Sequence, residues 1–219
     1  LSATMAQLFP KWTNRLPLYI LAGGGIALLL VVGLFWYYGS PEYTDVGYRP
    51  VQPVPYSHKL HVGDLGLDCR YCHVAVEKSA VASVPPTQTC LNCHRLIKPD
   101  SEKLKSVFTS WETGIPLQWV KVHKIPDYAY FNHSAHIRAG VGCESCHGNI
   151  AQMEVVQQMK PLSMSWCVDC HRNPASQLRP LDQVTAMGWK APENQAEIGR
   201  RLIQERHIQP PTDCAGCHR

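Results

Sequence analysis

The chain has 219 residues, of which 45% are apolar and 17% are charged, and its formal net charge is +4. The basic residues form no run or stripe, so the sequence gives no support to nucleic-acid binding. The 17 prolines and 15 glycines predict a chain with few long regular elements.

The first predicted element is a transmembrane helix over residues 16–38. This stretch carries no charge and is long enough to span a hydrocarbon core of about 30 Å. A buried core helix rarely runs this far without a charge. A cleaved signal peptide would need small residues at its end, whereas Phe-Trp-Tyr-Tyr stands at 35–38. The glycines at 23–25 and 33 would let another helix approach closely.

The charges around this helix predict its orientation. Lys11 and Arg15 precede it, and acidic residues follow it. The positive-inside rule then places residues 1–15 in the cytoplasm and residues 40–219 outside the cytoplasmic membrane, on the periplasmic side.

The outer part is predicted to contain a duplicated unit. Residues 39–55 are rich in Pro, Tyr and Gly and indicate an extended linker to a domain over 56–219. Within this domain, 56–95 resembles 131–172, since each opens with an aromatic residue and His-x-x-His and then carries two Cys-x-x-Cys-His motifs. A fifth motif stands at 214–218 as a half unit.

Regular secondary structure is predicted to be sparse. A short helix is expected from Ser101 to Trp111, a turn at 113–116 and a strand at 117–123. An amphipathic helix is expected over 194–207, with Ile198, Leu202 and Ile203 on its apolar face. The rest reads as loop, so the domain needs another source of core.

Every cysteine belongs to a Cys-x-x-Cys pair that is followed by histidine. A disulfide framework, the usual reading of an even cysteine count, leaves those histidines unexplained. Zinc ribbons need two pairs per metal, so five pairs would leave one without a partner. The motifs are Cys69/Cys72/His73, Cys90/Cys93/His94, Cys143/Cys146/His147, Cys167/Cys170/His171 and Cys214/Cys217/His218.

This motif predicts covalent attachment of haem c. On one helical turn the two thiols and the imidazole share a face, so the thiols reach the haem vinyl groups while the histidine reaches the iron. Five motifs predict five haems, which would stack and provide the missing core. The expected fold class is therefore a multihaem cytochrome c, with few short α-helices and mostly loop around the haems, plus the N-terminal membrane helix.

The second axial ligands are predicted to be histidines for the most part. Six histidines remain after the five of the motifs: His58, His61, His123, His133, His136 and His207. The first five are the expected distal ligands, and His207 is a less certain alternative. Met164 and Met153 are also open as ligands, since a thioether would raise the potential of its haem.

The motifs and their flanks resemble a known family. The segments are Tyr56-Ser-His-Lys-Leu-His, Val122-His-Lys-Ile-Pro-Asp, Tyr130-Phe-Asn-His-Ser-Ala-His, Gly142-Cys-Glu-Ser-Cys-His-Gly and Leu162-Ser-Met-Ser-Trp-Cys-Val-Asp-Cys-His-Arg-Asn-Pro. They are similar to the pentahaem cytochrome subunit of bacterial alternative complex III, and the His-x-x-His units resemble class III and triheme cytochromes.

The resemblance implies a haem relay without catalysis of its own. Such a subunit passes electrons from a quinol-oxidising membrane complex to a periplasmic cytochrome c or a terminal oxidase. It implies three kinds of partner, namely an iron–sulfur subunit, polytopic quinol-binding subunits and a monohaem cytochrome c.

Two enzymatic functions compete with the relay. A membrane-anchored multihaem quinol dehydrogenase would need a quinol pocket near the membrane, and the linker and paired histidines argue against it. A multihaem reductase would need an open iron and often uses Cys-x-x-Cys-Lys, which the sequence lacks.

Overall fold

The computed structural model describes residues 8–218, which form two compact units. One unit ends at Thr44 and the other begins at Asp45. Residues 1–7 of the predicted cytoplasmic segment, and Arg219, lie outside the described residues.

The first unit is dominated by helix α1, Leu16–Tyr38, which follows a 3-10 turn at Lys11–Arg15. Its bounds equal those predicted from the apolar run. Pro17 stands in its first turn, where the missing N–H has no intrahelical partner to lose. None of its residues is buried, and the helix is long and apolar enough to cross a membrane.

The segment predicted as a linker belongs in part to the second unit. Helix α2, Pro41–Thr44, occupies its start. Residues from Asp45 onward group with the outer unit, and Val54 is buried there at 6% exposure. Prolines stop the segment from joining a helix or strand, but they do not stop a valine between them from packing into a core.

The second unit is a set of short helices joined by loops, as the high proline and glycine content predicts. The helices are α3 Cys69–Cys72, α4 Thr87–His94, α5 Lys105–Thr113, α6 His133–Ala139, α7 Cys143–His147, α8 Met164–Arg172, α9 Gln195–Glu205 and α10 Cys214–Cys217. A π-helical turn covers Lys59–Asp64, and 3-10 turns cover Glu102–Leu104, Ile150–Gln152, Pro174–Gln177 and Leu181–Gln183.

The predicted strand at 117–123 is wrong. No strand occurs within 8–218, where only two isolated bridges pair Ala129 with His218 and Val141 with Leu178. At the centre of the expected strand, the side-chain amide of Gln52 accepts from Val120 N at 2.9 Å and donates to Val120 O at 2.8 Å. One glutamine therefore satisfies the backbone groups that a neighbouring strand would otherwise pair with.

The apolar core of the second unit is small. Val54, Leu91 and Val107 form its main cluster and bring α4 and α5 together. Helix α9 packs on the Pro174–Gln177 turn, where Gly199 approaches so closely that a Cβ there would overlap the backbone of Ala175. The expected helix end at His207 lies two residues beyond the last helical residue, Glu205.

Candidate haem-binding sites

All five Cys-x-x-Cys pairs lie on helical turns, so both thiols of each pair share a face. Three of these helices begin at a side-chain cap. Asp68 accepts from Arg70 N, Ser163 from Trp166 N and Asp213 from Gly216 N. All ten cysteines are free thiols, which leaves each pair able to form two thioethers.

If the haems form the core of the unit, the cysteines that hold them should be enclosed. Two of the ten cysteines are more exposed than this predicts. Cys93 and Cys214 are exposed, whereas the other eight are half-buried. Cys93 is two residues beyond Leu91, the buried residue of α4, so the two side chains leave the helix on opposite sides. An exposed thiol can still form a thioether, so haem attachment at Cys93 stays a prediction.

Four of the five motif histidines donate Nδ1–H to a backbone carbonyl. This fixes the ring and the tautomer, and it leaves the Nε2 lone pair for a metal. The contacts are His73 to Ser83 O at 2.6 Å, His94 to Ile97 O at 2.9 Å, His171 to Pro211 O at 2.7 Å and His218 to Tyr128 O at 3.2 Å.

The two His-x-x-His segments are built alike. An aromatic ring stacks on the second histidine of each and meets the first edge-on, as Tyr56 does at His61 and His58, and Phe131 at His136 and His133. Nδ1 of three of these histidines contacts a backbone oxygen, whereas Nδ1 of His58 is buried without a hydrogen bond. The contacts are His61 to Ser57 O, His133 to Ala80 O and His136 to Asn132 O, each at 2.8 Å.

Three pairs of imidazoles have the centroid spacing expected of two ligands on one metal. A metal–nitrogen distance of about 2.0–2.1 Å puts the centroids of two imidazoles on opposite faces of one ion roughly 6.3 Å apart. The observed centroid distances are 6.1 Å for His61–His94, 6.4 Å for His133–His147 and 6.0 Å for His136–His171. Each pair joins a motif histidine to one of the histidines predicted as a distal ligand.

The other predicted ligands are placed differently. Burial, with a smaller contribution from the nearby charge of His73, lowers the pKa of His58 to about 4. His123 lies against His147, with 4.3 Å between ring centroids. His207 is exposed at a positive φ of 50°, just past the end of α9.

The two methionine candidates also differ from each other. Met164, at the first residue of α8, is 69% exposed. Met153 is half-buried, and its Cε lies 3.4 Å from the position that a Cβ on Gly148 would take. Met153 is thus the candidate that stays beside a motif histidine, His147.

The buried imidazoles are neutral at pH 7, which is the form that binds iron. Burial, together with the charges of neighbouring histidines, His123 first among them, lowers the pKa of His147 to about 3. Burial also lowers the pKa of His136. Neutral imidazoles whose Nδ1 is engaged keep Nε2 for a metal, which is the donor set that haem iron requires, so the residues present fit the group.

The large solvent-accessible area of the chain also agrees with bound haem. A folded monomer of this mass typically exposes about 10,000 Å², whereas this chain exposes 15,629 Å². Helix α1 accounts for part of the excess. Apolar side chains near the motifs add to it, including Leu65, Tyr71, Val74 and Leu96, which are 64%, 45%, 63% and 90% exposed. Large planar apolar groups held covalently would cover such surface.

Sequence reasoning missed a buried ion pair that holds α7. Glu144, between the cysteines of the third motif, accepts from Gly188 N and Trp189 N at 3.1 Å each. Arg179, only 6% exposed, lies 3.5 Å from the same carboxylate, donates to Ala186 O and stacks on Trp189. A charged residue inside Cys-x-x-Cys was the one signal that could have pointed to it.

Asp68, the cap of α3, predicts a pH-dependent contribution to stability. Hydrogen bonds from the Arg70 side chain lower its pKa to about 2, against about 3.9 for a free aspartate. Because the folded-state pKa is the lower one, the contribution is complete above about pH 4 and is lost as the pH falls through about 2. Solvent screening keeps it small, since the Asp68 and Arg70 side chains are 42% and 46% exposed.

Asp68→Asn should therefore lower the free energy of unfolding by about 1 kcal/mol or less at pH 7. The difference from the unmodified chain should shrink between about pH 4 and pH 2 in denaturant titrations. Glu77→Gln is the matched control, because it removes a carboxylate from Arg70 at 3.2 Å but leaves the cap intact. An equal loss at every pH would contradict the assignment.

Comparison with known proteins first gives a family likeness. Residues 129–219 match the family described as "Cytochrome c7 and related cytochrome c". This part of the chain is similar to that family, and the second unit consists of short helices and loops, with no strand within 45–218.

A curated relative then gives a more specific likeness. It is the "Menaquinone reductase, multiheme cytochrome c subunit" of Nitratidesulfovibrio vulgaris, to which the chain is 32% identical over 124 residues. The match covers 56% of this chain and 56% of the relative, so the chain spans about half the length of that protein.

Proposed function

We propose that this chain is the electron-transfer subunit of a quinone-linked membrane complex and that it relays electrons through five c-type haems. The observation that carries the proposal is the set of three opposed histidine pairs at 6.0–6.4 Å. An iron with a protein ligand on each face exchanges electrons and has no open position for a substrate. When bound, haem supplies a one-electron redox centre, and the chain positions it.

In this proposal the distal ligands are His58, His61, His133 and His136. His58 is assigned to the His73 site because the two units are duplicates, and His133 opposes His147 at the corresponding place. For the iron of the His218 site, the candidate distal ligands are His207 and a methionine.

The contacts between sites support one linear order. The His94 site lies next to the His73 site, because His58 and His61 stand on one turn and the charge of Cys90 adds to the raised pKa of the Cys72 thiol. The His73 site meets the His147 site, since the Cys69 and Cys143 thiols lie close enough for each to shift the pKa of the other.

The second half of the order follows from similar contacts. His133 and His136 share helix α6, which joins the His147 and His171 sites. His171 donates to Pro211 O, just before the last motif, and Cys217 adds to the raised pKa of the Cys167 thiol. The proposed order is therefore the sites of His94, His73, His147, His171 and His218.

The exposure of the cysteines supports this order. The two exposed thiols, Cys93 and Cys214, belong to the two end sites, whereas all six thiols of the three inner sites are half-buried. The end sites of a relay must meet a donor and an acceptor at the surface, and the inner sites need only their neighbours.

The membrane partner is inferred from four observations. Helix α1 can cross a membrane, and Lys11 and Arg15 before it favour a periplasmic haem domain. The sequence resembles the pentahaem subunit of alternative complex III, and the relative is by name a subunit of a menaquinone reductase. We infer a membrane quinone at one end of the relay and a periplasmic cytochrome c or terminal oxidase at the other.

The direction of flow is proposed to be outward, on the resemblance to quinol-oxidising complexes. The relative's name describes quinone reduction, the reverse direction through the same kind of relay. The iron–sulfur, polytopic quinol-binding and monohaem cytochrome c subunits implied by the resemblance are the proposed neighbours.

Quinol reduction of the complex, followed by haem absorbance, tests the function. In membranes that hold the whole complex, menaquinol should reduce every haem of this chain, whereas the full chain purified alone should not turn over quinol. Steady quinol oxidation by the isolated chain would contradict the proposal and would identify a membrane-anchored quinol dehydrogenase.

Two matched variants test the order of the sites. Replacing Cys143 and Cys146 with alanine removes the middle site and should stop electrons from passing between the two ends. Replacing Cys214 and Cys217 removes an end site and should leave the other four connected. Equal kinetics of haem reduction by quinol in the two variants would contradict a linear relay.

A further inference from the structure

His147 differs from the other motif histidines in what its Nδ1 contacts. In the other four sites Nδ1 faces a backbone carbonyl. Nδ1 of His147 instead faces Nε2 of His123 at 3.3 Å, with the two rings nearly perpendicular at 81°. A side chain 24 residues away therefore occupies a position that the backbone fills elsewhere.

The direction of this hydrogen bond follows from the proposed ligation. If Nε2 of His147 binds iron, its neutral ring carries the proton on Nδ1 and must donate it. Nε2 of His123 then accepts, and its lone pair is used. His123 cannot bind an iron through that nitrogen at the same time, and His133 already stands opposite His147 at 6.4 Å.

The position of His123 suits an acceptor. Its ring lies 4.3 Å from that of His147 between centroids, and a neutral imidazole has one nitrogen that can accept. An imidazole nitrogen is a stronger base than an amide carbonyl oxygen, so it draws the Nδ1 proton more strongly and makes the ligand more electron-donating.

We propose that His123 is a positioning residue, not an iron ligand, and that its hydrogen bond to His147 lowers the reduction potential of that haem relative to a carbonyl-bonded site. The inference rests on the proposed function, since it requires a haem at the Cys143–Cys146 motif. The motif histidine of the middle site of the relay would then have a different Nδ1 partner from the motif histidines of the neighbouring sites.

The test compares His123→Leu with His123→Gln in the full chain. Leucine removes the acceptor, whereas the glutamine amide oxygen can replace Nε2. Both variants should keep the wild-type haem content and should remain fully low-spin by electron paramagnetic resonance. In His123→Leu one haem potential should shift upward in a redox titration, and in His123→Gln most of that shift should be restored.

Two results would overturn the proposal. A new high-spin haem that binds carbon monoxide, in either variant, would identify His123 as an iron ligand. Unchanged potentials in both variants would show that the contact has no effect on the haem. Neither result resembles failure of the proposed function, which would appear as a low haem content in the unmodified chain.

Discussion

His136→Ala is expected to convert one haem of the chain from low-spin to high-spin without releasing it. His136 opposes His171 at 6.0 Å, and its ring is held by Phe131 and by a 2.8 Å bond to Asn132 O. Alanine removes one axial ligand, but the thioethers of Cys167 and Cys170 would still hold the porphyrin. One equivalent of carbon monoxide should bind to the reduced variant, and the potential of that haem should rise.

His207→Ala is the matched control for this variant. His207 is exposed and lies outside α9, so its loss should leave the haem of the His171 site low-spin and closed to carbon monoxide. If His136→Ala bound no carbon monoxide and stayed low-spin, the opposed pairs would not be ligand pairs.

Arg179→Met is expected to be the most destabilising single change outside the motifs. The variant leaves the largely buried Glu144 carboxylate without its cation, although Gly188 N and Trp189 N still donate to it. Breaking a buried ion pair costs about 3–5 kcal/mol. We expect a loss near the lower value, because the two backbone hydrogen bonds to the Glu144 carboxylate remain. Denaturant unfolding of the full chain in detergent, followed by haem absorbance, measures the loss.

Two comparisons isolate the effect of the buried charge. Arg201→Met breaks an exposed pair with Glu205, 3.6 Å apart, and should cost less than about 1 kcal/mol. Adding Glu144→Gln to Arg179→Met should recover part of the loss, because no carboxylate is then left buried. Equal losses for Arg179→Met and Arg201→Met would contradict the structural role of the pair.

The sequence predicted those features that depend on local pattern. The apolar run gave the bounds of α1, because length and absence of charge suffice to define such a helix. Ser101 and Gly114 bracket the helical segment that ends with α5, and Gly114 has the left-handed φ of 71° that ends many helices. The motif spacing likewise placed all ten thiols on helical turns.

Features that depend on distant contacts were not predictable. Gln52 and Val120 are 68 residues apart, and nothing in either segment indicates that an amide side chain would replace a strand. The exposure of the Cys93 thiol depends on which face of α4 packs inward, and the motif spacing does not contain that information. The carbonyls that fix four motif histidines are likewise identified only by the fold, since a backbone oxygen carries no residue-type signal.

The predicted ligand histidines show what local spacing can indicate and what it cannot. The duplicated His-x-x-His spacing predicted His61, His133 and His136 as distal ligands, and the structure places their ring centroids 6.0–6.4 Å from those of motif histidines. His123 was selected by counting alone. Its contact with a motif histidine, rather than its presence in the sequence, supports a different role.

The central claim is that each of the five motifs carries a covalent haem. Intact-mass spectrometry of the full chain, expressed with its haem-attachment machinery and purified in detergent, tests it most directly. The chain should carry the added mass of five haems that survives denaturation, and zinc should be absent. A main species with fewer haems, or with zinc bound by free thiols, would contradict the claim.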